Sequence, residues 1–143
     1  MKKGKGFTII ELLIVMAVIA ILIGIAVPSF RGMQTEAWKT KSQGDIKVVK
    51  IALETYYKNA GAFPAEANYQ ATLLNAEHKI LESNLYDPFG DDASAQYKYA
   101  LSLNKKYYVI YSEGPSGIGS ATVTNDGIVN PLNNPIWVSN GHD

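Results

Sequence analysis

The chain reads as an α+β protein in which one long N-terminal helix packs on a small antiparallel β-sheet head. Three observations predict this. Residues 7–30 form a run of twenty-four with Glu11 as the only charged residue before Arg31. An apolar stripe at steps of three and four then carries the helical period on to about residue 59. Beyond it, short runs rich in Tyr, Val and Ile alternate with polar residues between turn signals, the pattern of half-buried strands.

The first half of the helix is apolar nearly all round. A bilayer core takes about 20 predominantly apolar residues, so residues 7–30 are long enough to cross one. Lys2, Lys3 and Lys5 precede the run, and a lysine-rich front stays on the cytoplasmic side. A secretory signal would show a small-residue cleavage site after the core, whereas Val27-Pro28-Ser29-Phe30-Arg31 follows here. A plain anchor fits better but gives Glu11 no purpose. A carboxylate at membrane depth costs about 2.5–3.5 kcal/mol, unless it snorkels from the first turn to the headgroups.

Lys5-Gly6-Phe7-Thr8-Ile9-Ile10-Glu11-Leu12-Leu13-Ile14-Val15 resembles the processing and assembly motif of type IV pilins and type II secretion pseudopilins. The resemblance implies a pilin fold and three segments: a basic leader, 1–6, removed by a prepilin peptidase; a transmembrane and assembly helix, 7–30; and a globular head, 31–143, that includes the amphipathic half of the helix. Cleavage would follow Gly6, and the same peptidase and N-methyltransferase would methylate Phe7. Glu11 would meet the new amino terminus of a neighbouring subunit, since a carboxylate in low dielectric seeks a cation. Gly24, Pro28 and Gly32 would let the helix kink, stretch or melt in a filament, although transmembrane helices also tolerate such residues for their own reasons.

The helix is expected over residues 7–59, kinked at Pro28. Its stripe runs Phe30, Met33, Ala37, Trp38, then Ile46, Val49, Leu53, Tyr56, Tyr57 and Ala60, with Ser42 a polar gap and Gly32 and Gly44 weak points. Lys39, Lys47, Lys50, Glu54 and Lys58 are assigned to the opposite, solvent face. Asn59-Ala60-Gly61 is a helix stop. A short helix is expected over 69–77 with Leu73 and Leu74 inward. Asp87-Pro88-Phe89-Gly90 is turn chemistry, and resembles the Asp-Pro-Trp-Gly turn before the first strand of major pseudopilins, with Phe89 in place of the tryptophan. Strands follow over 96–103 and 106–112. In the second, Tyr107, Val109 and Tyr111 share one face and Tyr108 and Ile110 the other. A weak hairpin is expected over 121–124 and 128–129 around Asn125-Asp126-Gly127. Residues 130–143 are expected to be loop apart from a packed Trp137.

Little in the head points to catalysis, and no enzyme activity is expected. His78 and His142 are the only histidines, and there is no cysteine; neither histidine has a second ligand at metal spacing or a nucleophile signature. Residues 114–119 are glycine-rich but no lysine follows, so they are not a phosphate loop. Asp87, Asp91 and Asp92 cluster without an EF-hand pattern, and calcium wants six to eight oxygens. Major pseudopilins also hold calcium in an acidic C-terminal loop; residues 112–126 here keep the glycines and few of the acids. No cofactor is expected, with calcium as the one alternative. The nine tyrosines are expected to pack in the core. Loss of residues 1–6 leaves ten basic against thirteen acidic side chains, a side-chain charge of −3 that gives nucleic acid no footprint.

The resemblance implies a homo-oligomeric helical filament built from the inner membrane, where the subunit waits as a single-pass protein with its N-terminus cytoplasmic. A type II pseudopilus stays in the periplasm and pushes exoproteins through a secretin; a type IV pilus reaches the cell surface for adhesion, motility or DNA uptake. Both need an assembly platform, an ATPase system and minor pilins or pseudopilins. The missing cysteines, where many pilins close a disulfide, favour the pseudopilin. A membrane-tethered tip or binding subunit is the remaining class, and the intact Glu11 favours the shaft.

Overall fold

The computed structural model describes residues 6–142; Lys2, Lys3 and Lys5 of the basic leader lie outside them. The chain divides into two compact units, residues 1–36 and 37–143. One helix, α1 (Ile9–Ala60), has Pro28 inside it and runs through that residue without a break. It begins two residues later than the period predicts, because Thr8 caps it rather than joining it.

In the first unit the apolar side chains of the helix are not covered by the described residues. From Leu12 to Met33 every large apolar side chain is exposed, and the segment is long and apolar enough to cross a membrane. It serves as a membrane anchor.

The second unit is built on the rest of α1. Ser42, Ile46, Val49, Ala52 and Leu53 form its buried face. A 3-10 turn over Glu66–Asn68 leads into α2 (Tyr69–Leu74), shorter than the expected 69–77. It stops where the amide of Asn75 and its side-chain Nδ2 both donate to the Ala71 carbonyl. Three antiparallel strands form the main sheet: β1 (Lys98–Leu101), β2 (Tyr108–Ser112) and β5 (Ile136–Ser139), in the order β1-β2-β5. Leu101 opposes Tyr108, and Ser112 opposes Ile136. A second, two-stranded sheet pairs β3 (Ser120–Val123) with β4 (Val129–Leu132).

Side-chain alternation on β2 separates two cores. Tyr108 and Ile110 join Tyr97 and Tyr99 of the β1 segment, Leu73 of α2, and Val49 and Leu53 of α1. Val109 faces the other way and is buried with Ala121 and Val129 of the small sheet, with Tyr111 and Trp137 packed beside them. The face assignment for the second strand and the packing of Trp137 therefore hold. Four of the nine tyrosines, Tyr69, Tyr97, Tyr99 and Tyr108, are buried in the larger core as expected, whereas Tyr57 and Tyr86 are exposed, against the expectation. Desolvation pushes the Tyr69 phenol up to about 12 and also raises those of Tyr97, Tyr99 and Tyr108, so these rings stay neutral.

Four expectations for the head need correction. Residues 130–143 are not loop: they complete β4 and supply β5. Pro131 is tolerated because β3 is the only strand paired along β4 among the described residues, and the bond to His142 on the other side comes from Val129, two residues earlier. The first strand ends at Leu101, not at residue 103; Ser102 and Lys105 close a turn, with Lys105 at φ 57°, and Leu103 is left exposed. Ser42 is not a gap in the stripe but fully buried within it. Lys50 and Glu54 do not face solvent alone: Lys50 Nζ donates to the Ser139 carbonyl at 2.7 Å, and the Tyr108 hydroxyl donates to Glu54 Oε1 at 2.7 Å. With Tyr97 donating to Asp45 Oδ2 at 2.9 Å, these bonds tie the edge of the helix to the sheet.

Gly127 is required where it stands. Its φ is +84°, and an added Cβ would lie 2.8 Å from the Tyr107 ring. The approach lets the chain end close on the small sheet, where the Val129 amide donates to the His142 carbonyl at 3.1 Å.

Leu53 is fully buried in the larger core. Replacing it with alanine should lower stability by about 2–5 kcal/mol, measured as a shifted urea midpoint of the full chain in detergent. An unchanged midpoint would show that the head does not pack through this face.

Candidate functional site

The start of α1 is a capping box. Thr8 Oγ1 accepts from the Glu11 amide at 3.3 Å, while Glu11 Oε2 accepts from the Thr8 amide at 2.9 Å and the Thr8 hydroxyl at 2.7 Å. Helices leave their first amides without intrahelical partners, and this reciprocal pair satisfies two of them. Glu11 is therefore engaged inside its own chain. Thr8 is a site residue that the sequence reading passed over, although Thr-x-x-Glu before an apolar run is itself a signal. Gly6 and Phe7 lie just outside the helix, and Phe7 is 90% exposed. Gly24 and Gly32 have open space where a Cβ would stand, so no contact within this chain demands a glycine at either position.

A second polar centre lies in the head. Asp87 is 3% exposed, and its carboxylate links two segments. Oδ1 accepts from the Phe89 amide at 3.0 Å and from the Ser112 hydroxyl at 2.7 Å, and Oδ2 accepts from the Glu113 amide at 3.2 Å. Phe89 packs edge-on against Trp38 with centroids 5.8 Å apart. The buried side chain of Gln70 holds the approach to this turn. Its Oε1 accepts from the Leu85 amide at 2.8 Å, and its Nε2 donates to the Leu85 carbonyl at 3.0 Å.

Similarity to known proteins covers the start of α1 and, more weakly, most of the chain. The prokaryotic N-terminal methylation motif matches residues 1–27. The type II secretion system core protein G of Pseudomonas aeruginosa is 28% identical over 127 residues, covering 81% of this chain and 87% of that protein. Its counterpart in Escherichia coli K12 is 26% identical, covering 80% of this chain and 84% of its own length. A fimbrial protein of Pseudomonas aeruginosa is 33% identical over 89 residues, which is 55% of this chain and 58% of that protein. The chain is thus similar to core protein G over most of its length and to pilins over about half of it. No solved structure matches.

The polar groups of the head that drew attention in the sequence are either exposed or engaged by the protein itself. His78 and His142 are both exposed, and His142 contributes through its backbone alone among the hydrogen bonds described. Of the three aspartates near the turn, Asp87 is buried and committed to protein donors, while Asp91 and Asp92 are exposed. The Ser94 hydroxyl and amide bind Asp92 Oδ1 and lower its pKa. Among the described residues no three His, Asp or Glu side chains gather as metal ligands. In the glycine-rich segment Glu113 faces Lys98 at 3.6 Å, and the Gly119 amide donates to the Glu113 carbonyl at 2.9 Å. The segment leads into β3 rather than a helix. Protein donors and acceptors thus brace both acidic segments.

Asp87→Ala would leave the Ser112 hydroxyl and two amides without their acceptor. A buried group stranded in this way costs about 1–3 kcal/mol. The variant should unfold at a lower urea concentration than wild type, with Asp91→Ala unchanged. Equal midpoints for the two variants would deny Asp87 its bracing role.

Proposed function

We propose that this protein is the main shaft subunit of a type II secretion pseudopilus. A filament subunit, of a pseudopilus or of a type IV pilus, is what both kinds of relative support. The observation favouring the pseudopilus is the extent of similarity: core protein G aligns over 81% of the chain, head included, while the fimbrial protein aligns over 55%. The absence of cysteine agrees with it. The protein acts by assembling, not by catalysis.

In this reading a prepilin peptidase cuts after Gly6 and methylates Phe7. The cut leaves the capping box intact and places a cation one residue before Thr8. Glu11 Oε2 is occupied by Thr8, and the carboxylate retains acceptor capacity for an ammonium on a neighbouring subunit. Gly24, Pro28 and Gly32 supply local freedom, or close approach between helices, once the apolar segments pack together. The subunit waits in the inner membrane with its N-terminus cytoplasmic. It is then drawn into a periplasmic filament by an assembly platform and ATPase, with minor pseudopilins and a secretin as further partners. Calcium has no part in this reading.

Deleting the gene should trap exoproteins in the periplasm and leave surface fibres unchanged in number. Intact secretion with missing fibres would make the protein a type IV pilin instead. Glu11→Ala should leave the protein in the membrane and reduce periplasmic filaments, released by opening the outer membrane, to a small fraction of wild type. A normal filament yield from that variant would remove the charge pairing from the account.

A further inference from the structure

We infer that the head carries a knob and a groove that join successive copies of this chain. The Leu103 tip of the β1–β2 hairpin on one copy seats in the cleft beside Trp38 on the next. This rests on the filament reading above and adds a contact to it.

The knob is the side chain of Leu103, 92% exposed. A single exposed leucine is ordinary, but this one is held out on a braced tip. The Asn104 amide donates to Asn125 Oδ1, and Asn104 Nδ2 donates to the Asn125 carbonyl, each at 2.9 Å. Asn104 Oδ1 also accepts from the Ser102 hydroxyl at 2.7 Å and the Lys106 amide at 3.1 Å. A tip already ordered loses little entropy on docking.

The groove is a cleft of about 550 Å³ with Trp38, Tyr86, Pro88 and Ala93 as its apolar part and Lys41, Asp87 and Asp92 as its polar part. Trp38 and Tyr86 remain 39% and 40% exposed, so the cleft offers aromatic surface to an apolar side chain. It is held in shape by the Trp38–Phe89 contact and by Lys41 Nζ, which donates to the Tyr86 carbonyl at 2.9 Å. Seating a leucine there would remove apolar area from both partners.

Charge selects the same pairing. Lys105 and Lys106 follow the knob, both exposed, and among the described residues neither forms an ion pair. Asp92 lines the groove, and Asp91 precedes it in the chain; both are exposed. Exposed pairs add little stability, but opposite patches set direction and register.

Position makes the contact propagate. Gln96, just before β1, bridges to Tyr86 at the groove, while Leu103 follows the other end of the strand. From Gln96 to Leu101 the extended chain covers about 17 Å before the turn that carries Leu103. Knob and groove therefore cannot meet within one copy. A contact between two different patches is heterologous and repeats from copy to copy, closing a ring or extending a helical row.

The test uses the whole subunit in filaments released from the periplasm by opening the outer membrane. The chain has no cysteine, so a Leu103→Cys/Ala93→Cys double variant reports only the proposed contact, and a disulfide needs Cα atoms roughly 4.4–6.8 Å apart. Oxidised filaments should run as a ladder of dimers, trimers and longer species without reductant, and neither single variant should do so. Filaments of the double variant that form normally and remain monomeric would overturn the contact while leaving the filament reading in place. Dimers from Leu103→Cys alone would also overturn it, by showing tips that meet each other. Failure of the wild-type chain to form any filament would remove both. In parallel, Lys105→Glu/Lys106→Glu should lose most of the filament yield, and Asp91→Lys/Asp92→Lys in the same chain should restore it. Loss without rescue would overturn the charge pairing.

Discussion

One helix in this chain has to suit two surroundings, and that constraint orders everything else. Residues of α1 up to Met33 expose apolar side chains in every direction, so the chain itself provides no cover for them. Lipid can do so, and so can the same segment of other copies. Ser42 to Leu53 bury one face against aromatic rings and leave the other to water. A helix with both characters needs an apolar partner along its first part and a folded head along its second. The capping box matters because it fixes where that helix begins, at the residues where processing would act.

The head is held to its helix by shape and by a few polar ties at the margins of the contact. Val49 and Leu53 supply the buried surface. Asp45, Lys50 and Glu54 each bond a group on the sheet at the edge of it. Apolar packing tolerates sliding along a helix, whereas these bonds do not, since each needs its partner at one height. Asp87 does the same at the end of β2, fastening the turn before β1 to the first residues after β2. The two devices together give the head one register on its spine.

Much of this was legible from local pattern. The helical period, the alternating faces of β2, the short α2 and the Asp-Pro turn all follow from neighbours in sequence, and so does the opening motif. What escaped depends on partners far along the chain. Lys50 and Glu54 look like a solvent face until Ser139 and Tyr108 arrive to meet them. Strand β5 is hidden because Pro131 and Pro135 read as loop, and only its pairing with β2 reveals it. Leu103 continues the alternation of β1, yet Ser102 turns the chain before it. Thr8 is the exception: its pairing with Glu11 spans three residues and was open to local reading.

Strand β2 lies at the centre of the head, with the helix core on one side and the small sheet on the other. Tyr108, Val109, Ile110 and Ser112 are all buried, so every substitution along it disturbs one packed layer or the other. The β3–β4 ribbon covers only the far side, and Thr122, Asn130 and Leu132 are exposed. The molecule is thus divided into a frame with almost no freedom to drift and a skin that can be rewritten. Related filaments could present different outer surfaces to their cargo or surroundings while keeping the same inner scaffold.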